Sequence, residues 1–276
     1  MLILKSGCDE ALAYTIKNKK EVLNMTKELR VLIAGESWES MTIHQKGFDI
    51  FTTTFYEEGV GPLKDALEQN GHTVTHMPSH IASTKFPTEL EELQSYDVVM
   101  LSDIGTNTLL LHPNTFNKSM RMPNRLKLIR EYTKNGGGLM MVGGYMTFQG
   151  IDAKARYAKS PVEEVLPVTM HERDDRVEVP EGVSPKVQLA DHPIVAGLSA
   201  EWPGLLGYNQ IIAKPEASVV ATVGDDPLIA AWTHQKGRAV AFASDCGPHW
   251  APPEFLAWDG YGKLWTQMVE WTGGAL

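Results

Sequence analysis

Residues 136–150 read GGGLMMVGGYMTFQG. A short apolar run at 139–142 leads into Gly143, Gly144, Tyr145 and Met146. That is the layout of a nucleophile elbow, a sharp strand-to-helix turn that holds one side chain over the C-terminal edge of a sheet. Glycines beside the tip let the backbone turn without a Cβ clash. The segment therefore implies an α/β scaffold with a cleft above the sheet, and it puts the phenol of Tyr145 at the tip.

The rest of the chain alternates strand and helix signals in agreement with such a scaffold. Residues 31–34, Val-Leu-Ile-Ala, form a short buried-strand pattern ending at Gly35. A long polar loop is expected from 35 to 59. Helix resumes near Val60, with Leu63, Ala66 and Leu67 on one face, and stops at Asn70-Gly71. Residues 72–77 and 97–101 read as the second and third strands. Pro123 opens a helix carrying Leu126, Ile129 and Tyr132, which Asn135-Gly136 ends. This order predicts a mostly parallel sheet covered by helices on both faces.

After Gly150 the pattern changes to shorter strands and loops. Residues 217–223, 228–233 and 238–243 are strand candidates, the last two joined by a hairpin-type turn at Gln235-Lys236-Gly237. A closing helix from about Asp259 buries Tyr261, Leu264, Trp265, Met268 and Val269, with Trp265 and Trp271 as core anchors. Residues 1–28 form an appended arm. Residues 9–23 within it read as a polar helix, a surface feature or an oligomer contact. Residues 29–276 form a single α/β domain.

A net charge of −9 argues against a broad nucleic-acid or anionic-membrane surface. No apolar stretch approaches the roughly 20 residues that span a bilayer. The N-terminus has a four-residue apolar start followed by charges, unlike a secretory signal. The two cysteines, Cys8 and Cys246, form no metal or disulfide framework. The expectation is a cytoplasmic protein with free thiols, no metal and no cofactor, a small molecule as ligand, and room for a homo-oligomer.

Four segments, VLIAGESW, DVVMLSDIG, GGGLMMVGGYMTFQG and RAVAFASDCGPHW, resemble the class I glutamine amidotransferase-like superfamily. Within it, the chain is most similar to the group called putative glutamine amidotransferases, and more distantly to the ThuA-like proteins, which DHPIVAGL at 191–198 also resembles. The resemblance spans residues 30–272 and implies a flavodoxin-like three-layer sandwich. It also implies a cysteine at the elbow tip and a histidine with an acidic partner after a late strand. Here the tip is Tyr145. His249 matches the triad histidine, but the His-x-Glu pattern is absent, because two prolines precede Glu254.

Glutamine hydrolysis by this route needs a thiolate to form a thioester. A tyrosine phenol starts near pKa 10, so about one in a thousand is ionised at pH 7. The reading is therefore a protein without glutaminase activity that binds a small polar metabolite, such as a carbohydrate, at the elbow cleft. The alternatives are an unorthodox hydrolase or isomerase using His249 and Tyr145 as acid/base groups, and a catalytically dead structural subunit.

Besides that pair, the expected ligand-binding residues are Glu36 and Trp38 just off the first strand, Asp103 and Gly105 off the third, Gly144 and Met146 beside the tip, and Asp245. The resemblance gives Gly105 an oxyanion-hole backbone donor, whereas Asp103 would repel an oxyanion and suits hydroxyl groups instead. Cys246 reads as a simple buried or half-buried thiol rather than a nucleophile. Asp245, Cys246 and His249 match no standard zinc spacing. His72, His76 and His80 are expected to alternate in exposure and to hold no metal.

Overall fold

The computed structural model describes residues 27–276. The helix expected at 9–23 lies outside them. Fourteen strands are present among the described residues: β1 (Arg30–Gly35), β2 (Ser37–Lys46), β3 (Asp49–Glu58), β4 (Thr73–Met77), β5 (Val98–Ser102), β6 (Gly138–Val142), β7 (Val168–Met170), β8 (Arg176–Val183), β9 (Pro185–Val187), β10 (Leu205–Asn209), β11 (Ile211–Ala213), β12 (Ser218–Val223), β13 (Asp226–His234) and β14 (Gly237–Phe242).

Eight of them form the central sheet in the order β4-β1-β5-β6-β14-β13-β12-β9. The first five are mutually parallel. The last three extend the sheet antiparallel. Every residue of β5 and β6 is buried, as in a strand covered on both faces. Helices Gly61–Gln69 and Tyr261–Thr272 pack against each other in one covering layer. Helix Arg125–Lys134 anchors the other, with its Asn124 side chain accepting from the Lys127 amide as N-cap. The molecule is the expected α/β three-layer sandwich. Leu63, Ala66 and Leu67 bury one face of the first helix. Trp265 is fully buried in the last helix, while Trp271 is partly buried against the core.

Residues 37–58 differ from expectation. They are not a polar loop but a hairpin of two ten-residue strands, β2 and β3, paired in continuous register from Ser37–Glu58 to Lys46–Asp49. β-Branched and aromatic residues at Ile43, Ile50, Thr52, Thr53, Thr54 and Phe55 favour extended backbone. Gly47, at φ +64°, supplies the left-handed residue of the turn. Polar residues spread along both strands conceal this pattern from a search for a buried strand.

Candidate functional site

Parallel strands β1, β5, β6 and β14 all end at one edge of the sheet, where ligands bind in open α/β folds. The backbone is strained where the chain leaves that edge. Glu36 lies at φ 50°, Asp103 at φ 43° and His249 at φ 98°, all in the left-handed region that L-residues seldom adopt. Gly144 takes φ 150°, and a Cβ there would press on the Asp103 carboxylate. Strain of this kind gathers where side chains are held for use.

The turn after β6 departs from an elbow in one respect: no helix continues it. Tyr145 enters a run of turns that reaches a single 3-10 turn at Ile151–Ala153. In place of a helix, two buried polar side chains hold the segment. Asn209 accepts from the Gly144 amide at 3.0 Å and donates to the Gly144 carbonyl at 3.2 Å. Asp175 accepts from the amides of Gln149 and Gly150 and from the Asn209 side chain, at 2.8 to 2.9 Å. Nothing local in the sequence marks either residue, because their partners lie 25 to 65 positions away.

The site has two tiers. In the lower, buried tier the Ser102 hydroxyl is hydrogen-bonded to Glu36 and lies 3.7 Å from the Cys246 sulfur. Ligand atoms of Glu36, Asp245 and Cys246 fall within 4.8 Å of one another. Burial, reinforced by the charge of Asp103, raises Glu36 to about 7. Burial and then Glu36 push Asp245 well above the carboxylate range, and the same two causes push the Cys246 thiol up. The trio thus favours its protonated forms, and a cation bound there would have to displace those protons. The Tyr261 hydroxyl donates to the Cys246 carbonyl at 2.6 Å and seals this tier from the side.

The upper tier is aromatic. The Tyr145 ring stacks on His249 at 5.5 Å and 19°. The Trp250 indole meets Tyr145 edge-on, also at 5.5 Å. The Arg176 guanidinium sits 4.9 Å from the centre of the same ring. Glu178 accepts from the Trp250 indole at 3.0 Å. Asp174 grips Arg176 through two bonds of 2.9 and 3.0 Å, and that grip draws its own carboxyl down to about 2. Burial, and then the charge of Glu178, raise the Tyr145 phenol. Tyr145, Glu178, Pro180, Leu206, His249 and Trp250 line an open cleft of about 310 Å³.

The structure divides the residues expected to bind ligand. Tyr145 and His249 line the cleft. Trp38 backs the His249 ring at 5.2 Å and lines a separate hollow of about 320 Å³. Asp103 accepts from the Met146 amide at 2.6 Å, and its carboxyl rises through burial although that amide, and then His249, oppose the rise. Glu36 and Asp245 lie in the buried floor. Gly105 is buried beneath Met146, where a Cβ would meet the methionine methyl at 3.0 Å. Cys246 is fully buried, as expected. His72 is buried, His76 half-buried and His80 exposed, a gradient rather than an alternation. Sequence patterns alone do not single out Glu178 or Trp250 as cleft residues, or Arg176 as the cation over the Tyr145 ring. The visible hint is Arg-Val-Glu at 176–178, which puts two opposite charges on one face of a strand.

The sequence matches the family model described as Putative glutamine amidotransferase over residues 30–273. The chain belongs to that family. Two solved structures from the same genus are similar over most of their length. Cytoplasmic protein STM3548 from Salmonella typhimurium is 45% identical, with a TM-score of 0.86 over 88% of this chain and 99% of the other. Cytoplasmic protein STM1381 from Salmonella typhimurium LT2 is also 45% identical, with a TM-score of 0.85 and the same coverage. A putative ThuA-like protein from Bacteroides uniformis shares the fold at 16% identity, with a TM-score of 0.55 over 90% of this chain and 94% of the other. No curated protein matches the sequence. Among the described residues, no helix is long and apolar enough to cross a membrane.

Proposed function

We propose that this family member binds a small hydroxylated metabolite, of the carbohydrate or polyol class, in the cleft over Tyr145, and that it has no glutaminase activity. The observation that carries the reading is the aromatic cluster in which Tyr145 stacks on His249 and meets Trp250 edge-on, beside the charged pair Arg176 and Glu178. The aromatic surface left open at Tyr145 and His249 would take the apolar side of a ring, while the Glu178 carboxylate would take its hydroxyl groups. Two features support the absence of glutaminase chemistry. The tip carries a phenol, and Cys246 is fully buried with its thiol held protonated.

The same geometry favours binding over acid/base catalysis. A phenol pushed above its ordinary range is a hydrogen-bond donor rather than a base. His249 meets Tyr145 face to face, so the imidazole nitrogens do not point along the ring plane toward the phenol. We propose a cytoplasmic setting on the same basis as the family relationship.

The test is a thermal-shift and calorimetric screen of sugars, polyols, amino acids and nucleosides, with a parallel glutaminase assay. Binding by one hydroxylated class, lost at least tenfold in both Trp250→Ala and Glu178→Gln, supports the reading. Glutamine turnover, or no binding by any sugar or polyol at millimolar concentration, overturns it.

A further inference from the structure

The β2–β3 hairpin has no partner strand among the described residues; it forms a two-stranded sheet by itself. At about 3.4 Å per residue, its ten-residue strands reach roughly 34 Å from the sheet edge. Isolated two-stranded ribbons are at best marginally stable in water. This one lacks the usual protections of an exposed edge: it contains no proline, and Lys46 is its one lysine.

Its side chains read as an interface. One face carries Met41, Ile43, Ile50 and Tyr56; the first three are 71%, 69% and 64% exposed. Phe51 and Phe55 occupy the opposite face, and Phe48 stands wholly exposed at the tip. A large side chain offers about 150–250 Å², so the exposed fractions of the four on the Met41 face, together with Phe48 at the tip, amount to roughly 700 Å². One partner of a standard stable interface contributes about 800 Å².

Met41 and Ile43 lie near the middle of their strand on the same face as Ile50, so two copies packed antiparallel about a two-fold axis would set these apolar middles face to face. Such a contact is isologous and closes on itself, as the commonest oligomers do.

We propose that the hairpin is a dimerisation arm whose occupant is the same hairpin of a second copy. Trp38 stands at the root of the arm against His249, so the dimer contact also braces the back wall of the cleft.

The experiment is sedimentation velocity and light scattering on the full chain at micromolar concentration. The wild type is expected to run at twice the monomer mass, and Met41→Glu with Ile43→Glu at half the wild-type value, with an unchanged far-ultraviolet circular dichroism spectrum. Hydrogen exchange of the wild type supplies a second measurement that needs no substitution: amides 38–57 should exchange faster on dilution. A monomeric wild type, an oligomer of unchanged mass in the folded double variant, or exchange at 38–57 that ignores dilution overturns the proposal.

Discussion

At Val142 the chain leaves the sheet edge into a turn that is held on every side. At Gly35 it leaves the same edge into a hairpin that is held only at its root. The turn satisfies its backbone through Asn209 and Asp175 and ends in an ordered aromatic stack. The hairpin satisfies its backbone through its own ladder and leaves its apolar side chains in water. Segments of the first kind define a pocket for a small molecule, because their geometry survives without a ligand. Segments of the second kind complete themselves on another surface. The two meet where Trp38 touches His249.

The largest effect should come from removing the anchor of the turn. Asp175→Ala leaves the amides of Gln149 and Gly150 and the Asn209 side chain without their acceptor in a buried setting. The expected loss is on the order of 4 kcal/mol in urea unfolding. Asp175→Asn, which keeps the shape and one acceptor oxygen, should recover part of it. If alanine is tolerated within the error of the measurement, the turn is not held as described and the contrast with the hairpin disappears.

How much of the molecule is legible in its sequence depends on how far apart the partners lie. The apolar runs at 31–34, 98–101 and 139–142 announce the parallel strands, because a strand covered on both faces has no polar residues to confuse the pattern. Tyr145 is marked by its glycines. Asp175, Asn209 and Arg176 are not marked, since each is placed by a contact 25 or more residues distant, or by a ring that only the fold brings near. The hairpin is hidden for another reason. Both its faces are exposed, so the alternation of apolar and polar residues that usually betrays a strand is blurred.

The floor of the site offers a pH test. The Glu36 carboxyl, ordinarily at 4.5, is raised by burial and then by the charge of Asp103 to about 7 in the folded chain. Between those values the folded state holds a proton that the unfolded state has lost. Stability from this group is therefore fully present below pH 4.5 and is lost as pH rises through 7, by about 3 kcal/mol in all. Glu36→Gln stays neutral and can still accept from Ser102. Its unfolding midpoint should match the wild type at about pH 5 and exceed it at about pH 8. Parallel pH profiles for the two proteins would remove Glu36 as the source of the slope.

A smaller effect is expected at Gly207 on β10. A Cβ there would lie 2.3 Å from the Trp250 indole nitrogen, so Gly207→Ala must shift the ring from its place against Glu178 and Tyr145. Overpacking of this size costs about 1–3 kcal/mol. Ligand affinity should fall with it, because the displaced indole is a wall of the cleft. If stability drops while affinity holds, Trp250 supports the loop and does not contact the ligand.

The smallest effect belongs to the hairpin. Ile43→Ser removes a side chain that is 69% exposed and touches no buried core. At concentrations dilute enough to keep the chain monomeric, urea unfolding should move by no more than about 0.5 kcal/mol. The same change should weaken self-association at higher concentration, where the isoleucine has a partner. A cost of about 2 kcal/mol or more in the dilute monomer, the range of a buried side chain, would mean that the arm folds back and packs on its own body. The two segments would then be held alike, and the reason for assigning the hairpin to a second copy would be gone.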